Sequence, residues 1–252
     1  LILPQKEIGD SEKIENLYQI QENLMSEINT LKIDNENLKK EIKSIKEENE
    51  KLKNDKKKEV KEEYEIIDAG NGEKLENWNG IILRRPDPQA IWPIVNSNPL
   101  WKNADGHYFR SNKGGGYWNF KKQLDDFWTV KYKELTFKVS PTNFKHTGLF
   151  PEQAVNWNFE IEKIKNSKRN IKVLNLFAYT GAATMACSYA GATEVVHVDA
   201  SKGMTAWAKE NMRLSHLENN TIRFICEDVI KFLDREIRGG RTYHAIIMDP
   251  PS

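Results

Sequence analysis

Four positions that could do chemistry each follow a short apolar run. Thr180-Gly181 comes after Lys172 to Phe177, Asp199 ends Glu194 to Asp199, and Asp228 follows Ile222 to Cys226. Asp249-Pro250-Pro251 follows Tyr243 to Met248. Carboxylates so placed accept hydrogen bonds from ligand hydroxyls or amines. A single glycine at the mouth of a helix lets a ligand approach the backbone, and a helix N-terminus favours a carboxylate. Two prolines fix the backbone and give up their N–H groups, so their carbonyls can point into a pocket beside Asp249. That arrangement suits gripping the edge of a planar base near a cofactor. The first loop lacks the G-x-G-x-x-G of a dinucleotide fold. Asp199, 18 residues after Gly181, could accept from ribose hydroxyls, but an acid there fits NAD equally well.

The elements that must position these residues alternate. Strands are expected at 172–177, 194–199, 222–226 and 243–248, with helices at 182–190, 201–214 and 229–237. Apolar strands separated by helices imply an α/β fold, a parallel sheet covered on both faces that binds ligands beyond the carboxyl ends of its strands. Two of the polar residues have a second reading, since Asp228 and Ser201 also suit the N-caps of the helices they precede. His197 in mid-strand, Cys187 in a helix and Cys226 in a strand read as packing residues. His146 lies in a loop, where it could face a pocket.

Asn175 to Gly181, Val198-Asp199-Ala200-Ser201, Glu227-Asp228-Val229 and Asp249-Pro250-Pro251-Ser252 resemble motifs I to IV of class I S-adenosylmethionine-dependent methyltransferases. Upstream, Lys145-His146-Thr147-Gly148-Leu149-Phe150-Pro151-Glu152-Gln153 is similar to the K-T-G-x-F-x-x-Q signature of the ribosomal RNA large-subunit methyltransferase I-like group, which methylates cytosine C5 of 23S rRNA. The resemblance covers about Tyr64 to Ser252 and implies a Rossmann-like fold with S-adenosyl-L-methionine as cofactor. It implies that Ala178, Tyr179 and Gly181 wrap the methionine part, while Asp199 holds the ribose with Ser201 close by. Asp228 would sit by the adenine, and Lys145, Thr147, Phe150 and Gln153 would close over the cofactor. Asp249 and Pro250 would face the target base as the catalytic pair. Ala178 departs from the glycine common at that place. Cytosine C5 chemistry needs a nucleophile, usually a thiolate, that adds to C6; in the resembled family it comes from a later strand. Direct attack by an exocyclic amine of a nucleobase is the alternative, as is a coiled-coil scaffold with a degenerate methyltransferase domain. No metal site is expected.

The rest of the chain is of two kinds. Residues 1–63 hold 13 basic and 16 acidic side chains and one aromatic, Tyr18, out of 25 in the chain. From Ile14 to Leu52 the apolar residues recur as heptads, with Leu17, Leu24, Leu31, Leu38, Ile45 and Leu52 at d and Ile14, Gln21, Ile28, Asn35, Ile42 and Asn49 at a. Facing g and e charges are Glu27–Lys32, Asp34–Lys39, Glu41–Lys46 and Glu48–Lys53, all attractive in a parallel pair. A parallel coiled coil over 11–54 is expected, forming a homodimer through 14–52, followed by a polar linker at 55–63. A β-rich segment at 64–150 and the methyltransferase domain at 151–252 complete the chain. Trp78, Trp92, Trp101, Trp118 and Trp128 crowd the β-rich segment among Arg and Lys, and core packing is preferred there over an RNA-stacking surface. A net charge of +1 excludes a strongly basic nucleic-acid binder. Two cysteines exclude a disulfide scaffold or a multi-Cys zinc module. No apolar stretch is long enough to span a bilayer, and a cytoplasmic home with an RNA partner is expected. The chain opens without Met and stops at motif IV, so it is read as a fragment at both ends, inactive by itself.

Overall fold

The computed structural model describes residues 10–59, 63–94, 98–111 and 115–250, with the side chains of the first stretch over 15–48. The chain divides into two units, Leu1–Lys61 and Glu62–Ser252. The first contains one helix, α1 (Asp10–Glu59). It has no Gly or Pro and is rich in Lys, Glu and Leu, all good helix formers. The linker expected from residue 55 is therefore corrected: the helix runs on to Glu59. Lys56-Lys57-Lys58 ends the apolar seam, but lysine does not end a helix. Residues 60–62 lie outside the described residues, as do the side chains of Ile14, Asn49, Leu52 and Lys53. Between them the d-position aliphatics, Leu17 to Ile45, are 52–66% exposed along a single helix.

The second unit opens with an antiparallel meander, β1 (Tyr64–Gly70), β2 (Glu73–Trp78) and β3 (Ile81–Pro86). Its two turns are Asn71-Gly72 and Asn79-Gly80, with all four residues at positive φ. That is the sequence preference of two-residue hairpins. A short helix, α2 (Leu100–Asn103), leads into β4 (Gly106–Arg110) and β5 (Gly116–Phe120). The strands form one sheet in the order β1-β2-β3-β4-β5. A separate hairpin follows, β6 (Trp128–Tyr132) and β7 (Leu135–Val139). Lys113, Gly114, Pro251 and Ser252 lie outside the described residues.

After a 3-10 turn, Pro151–Gln153, the chain runs through α3 (Ala154–Asn166), β8 (Lys172–Leu176), α4 (Ala182–Tyr189) and β9 (Glu194–Asp199). It continues through α5 (Lys202–Leu214), β10 (Ile222–Cys226), α6 (Val229–Arg238) and β11 (Ala245–Met248). The four strands are parallel in the order β10-β9-β8-β11. This is a Rossmann-like α/β sheet whose direction of winding reverses between β8 and β11, where a crevice must open above the strand ends.

Position 150 is not a seam. One buried cluster joins Trp78 and Leu83 of the first sheet, Val130 and Phe137 of the hairpin, and Trp157, Met185 and Leu217 of the Rossmann-like part. Trp118 and Trp128 pack against it, and Trp101 is buried beside Leu75, so four of the five tryptophans serve packing. Trp92 stays exposed. The outer edge of β7 is covered by helix α5. Asn211 Oδ1 accepts the Lys138 N–H at 2.8 Å, and Ser215 Oγ both accepts from Thr136 N and donates to Thr136 O at 3.0 Å. Backbone groups that would otherwise be buried without partners are thereby satisfied.

One buried ion pair ties the first sheet to the segment before α3. Arg85 on β3 donates Nε and Nη2 to the Glu76 carboxylate on β2 at 2.6 and 2.7 Å, and Nη1 to the Lys145 carbonyl at 2.9 Å. Tyr64 Oη donates to the same carboxylate at 2.8 Å. Burial pushes the Glu76 carboxyl up, but Arg85 and then Lys74 outweigh it and hold it below the ordinary range. Removing one partner alone leaves a buried charge uncompensated. Arg85→Met should therefore lower stability by about 3 to 5 kcal/mol, measured by urea unfolding. Glu76→Leu combined with Arg85→Met should recover most of that loss.

Candidate cofactor and substrate site

The loop from β8 into α4 is wound tightly. Phe177, Tyr179 and Gly181 have φ of 52°, 51° and 84°. Ala178 is not among the left-handed positions, so an alanine is accommodated where related loops carry glycine. At Gly181 a side chain would be both strained and crowded, since a Cβ would meet Ala208 Cβ at 3.0 Å. Two left-handed non-glycine residues are unfavourable unless their surroundings hold them. Here they do. Tyr179 N donates to Asp199 Oδ2 at 2.8 Å, and Ala178 N to Val198 O at 3.0 Å. Thr180 Oγ1 donates to Gly148 O at 2.6 Å, and Asn211 Nδ2 donates to Thr180 O at 2.9 Å.

Beneath the loop is a buried polar chain. Asn175 Nδ2 donates to Thr184 Oγ1 at 2.9 Å, and that hydroxyl lies 3.0 Å from His197 Nδ1. Burial pushes His197 down to about 3, so the ring is neutral. Its Nε2 has no partner among the described residues.

The strand-end acids differ in their engagement. Asp199 accepts from Tyr179 N through Oδ2 and from Ser201 N through Oδ1, both at 2.8 Å. Each oxygen keeps a second lone pair for another donor. Asp228 caps α6 by accepting from Lys231 N at 3.1 Å, and Ser201 caps α5 by accepting from Met204 N at 3.3 Å. Capping accounts for both side chains as they stand.

A cavity of about 470 Å³ opens at the switch between β8 and β11. Phe150, Gln153, Ala178, Tyr179, Gly181 and Asp249 line it, together with Asn156 and Glu160 of α3. Pro250 follows Asp249 and is exposed. Asp199, Ser201 and Asp228 stand outside this lining, at the ends of β9 and β10. Lys145 does not reach it either and lines a second cavity. Thr147 is fully buried, and its hydroxyl has no partner among the described residues. Gly148 has φ of 90° and lies against the Trp207 ring, where a Cβ would come within 2.2 Å. Only glycine fits that contact. Among the described residues, no group of three or more His, Cys, Asp or Glu could hold a metal ion.

Sequence reasoning missed Asn211, Asn156 and Glu160. The polar residues of α3 and α5 carried no motif; only the folded helix shows Asn211 between β7 and the loop before α4. Burial pushes the Glu160 carboxyl up to about 7, against the opposing hydrogen bond from Cys187 Sγ at 3.8 Å. The folded chain thus keeps a proton that the unfolded chain releases. This contribution to stability is complete below pH 4.5 and is lost as pH rises through about 7. Glu160→Gln should remove that dependence. Thermal melts should show the variant gaining on the parent between pH 4.5 and about 7, with the advantage constant at higher pH.

Residues 96–252 match the S-adenosylmethionine-dependent methyltransferase family, and the chain belongs to it. A SAM-dependent methyltransferase from Agrobacterium tumefaciens is 44% identical and superposes with a TM-score of 0.72, over 75% of this chain and 60% of that one. A Streptococcus mutans protein assigned to the same class shares the fold at 21% identity and a TM-score of 0.62, covering 80% and 56% of the two chains. Among curated proteins, the ribosomal RNA large subunit methyltransferase K/L of Syntrophotalea carbinolica is 34% identical over 143 residues, 57% of this chain and 19% of that protein. Its counterpart in a Shewanella species is 34% identical over 117 residues, 46% and 16%. The chain thus spans under a fifth of the length of those relatives.

The cofactor of the family is S-adenosylmethionine, and the residues present fit it. Gly181 offers no side chain to cap α4, so the first N–H groups of the helix, at Ala182 and Ala183 on the cavity wall, suit a carboxylate. The spare lone pairs of Asp199 suit ribose hydroxyls, and the cavity volume falls in the usual range for small ligands.

Proposed function

We propose that the chain is the methyltransferase part of an enzyme that methylates a base of large-subunit ribosomal RNA. The observation that carries this reading is the crevice between β8 and β11, where the motif I loop and Asp249 share one cavity. The Syntrophotalea and Shewanella relatives, named as ribosomal RNA large subunit methyltransferases, support RNA as the substrate. Ala178, Tyr179 and Gly181 would hold the methionine part of the cofactor and Asp199 its ribose, with Ser201 and Asp228 along the adenosine side. Phe150 and Gln153 would close the cavity, Thr147 and Lys145 would support that closure from behind, and Asp249 with Pro250 would orient the base. S-adenosylmethionine supplies an electrophilic methyl group when bound.

Asp249 supports one choice of target atom. Its carboxylate can accept a hydrogen bond from an exocyclic amine and aim the nitrogen lone pair at the methyl group. Cytosine C5 requires a thiolate, which in the resembled family comes from a later strand, and neither Cys187 nor Cys226 takes that role. Cys187 is buried against Glu160, and Cys226 lies at the far strand, donating to Ala200 O at 3.6 Å. Asp249 on the cavity wall supports nitrogen methylation as the reading. Nucleoside mass spectrometry of large-subunit rRNA, from cells with and without the gene, decides it. Loss of one N-methylated nucleoside is expected; loss of 5-methylcytidine would assign the C5 chemistry, and an unchanged profile would reject RNA as the substrate.

Helix α1 serves association, as a parallel homodimer. The exposed d-position aliphatics from Leu17 to Ile45 need a partner, and facing g and e charges attract in a parallel pair. Sedimentation of the chain at tens of micromolar should give a dimer that Leu24→Glu with Leu31→Glu converts to a monomer. A parent that already sediments as a monomer removes this assignment.

A further inference from the structure

A second cavity, of about 390 Å³, lies beside the first. Lys74, Arg85, Asp87, Gln89, Lys145 and His146 line it, and Phe150 lines both cavities. The wall between them is aromatic. His146 meets Phe150 edge-on with centroids 5.2 Å apart, and Phe150 meets Tyr179 at 5.2 Å. The far wall is a rigid turn between two prolines, Pro86 and Pro88. Asp87 N donates to Gly72 O at 2.7 Å, and Gln89 N donates to Asp87 Oδ1 at 3.2 Å. Arg85 is already committed to Glu76 and to the Lys145 carbonyl. Among the described residues the other ammonium groups on the lining are Lys74, which also pairs with Glu76 at 3.4 Å, and Lys145. Burial, and then Arg110, pull the Lys145 ammonium below its ordinary value, with Arg85 and Lys74 adding to the effect. An anion at this place would relieve that crowding of positive charge.

The lining is mixed in a useful way. Two ammonium groups suit a phosphate, whereas Asp87, Gln89 and Glu152 offer acceptors and donors suited to the edge of a base. The volume is that of a small-ligand site. We propose that this cavity is a subsite for one nucleotide of the substrate strand, next to the nucleotide whose base enters the first cavity. This rests on RNA being the substrate. Phe150 separates the two bases, Lys74 and Lys145 hold the phosphate, and Asp87 with Gln89 reads the base. The site selects sequence beside the target without touching the methyl group.

Fluorescence anisotropy of a labelled single-stranded RNA on the full chain tests this, with Lys74→Gln and Gln89→Ala as separate variants. Lys74→Gln should weaken binding and reduce the slope of log Kd against log salt by about 0.7. Gln89→Ala, at an exposed position, should weaken binding by about fivefold or more for the preferred sequence alone. Affinity for S-adenosylhomocysteine, measured by calorimetry, should stay unchanged in both. RNA binding by the parent with equal affinity, slope and sequence preference in both variants overturns the subsite and leaves the RNA reading intact. A parent that binds no RNA overturns both. Binding of free nucleoside monophosphates in place of RNA would assign the cavity to a free nucleotide and overturn the proposal as well.

Discussion

The backbone between β8 and α4 can hold its shape only because other parts of the chain hold it. Phe177 and Tyr179 are both left-handed, a conformation that side chains with a Cβ avoid. Four hydrogen bonds compensate, from β9, from the segment before α3 and from α5. Asn211 serves two places at once. It is fully buried, and its one amide group serves both the outer edge of β7 and the carbonyl of Thr180. The hairpin, helix α5 and the cofactor loop are thus coupled through a single side chain. The segment carrying Gly148 and Phe150 is held in turn by the Arg85–Glu76 pair through the Lys145 carbonyl. The β-rich part acts as a brace for the site, which explains why the core runs across position 150.

Most of the Rossmann-like half was legible in the sequence. The run Val195-Val196-His197-Val198 is buried along its length, and the bounds of β9 and β10 match expectation. The order of the strands was not legible. It is set by which side of β8 receives β11, a tertiary choice that leaves no mark on a single run. The extent of α1 was misjudged because a lysine run interrupts a packing seam without disfavouring helix. The site was legible where backbone geometry forces a residue type, as at Gly181. It was not legible where chemistry depends on approach, as with Glu160, whose raised carboxyl reflects burial alone, or Lys145, which turns to the second cavity.

The acidic residues at the strand ends divide by what they already hold. Asp228 and Ser201 cap helix N-termini, each accepting one backbone N–H. Asp199 braces the motif I loop while keeping acceptor capacity, so one carboxylate both shapes the loop and remains open to a ligand. Asp249 is exposed on the wall of the cavity.

Calorimetric titration of S-adenosylhomocysteine into the full chain and into Asn211→Ala probes the coupling most directly. Deleting the amide leaves the Lys138 N–H and the Thr180 carbonyl unpaired, releasing the loop without touching the cavity wall. The predicted result is a variant with native circular dichroism and affinity weakened by about tenfold or more. Equal affinity in parent and variant would contradict the claim that this loop is held in its binding shape by the elements around it.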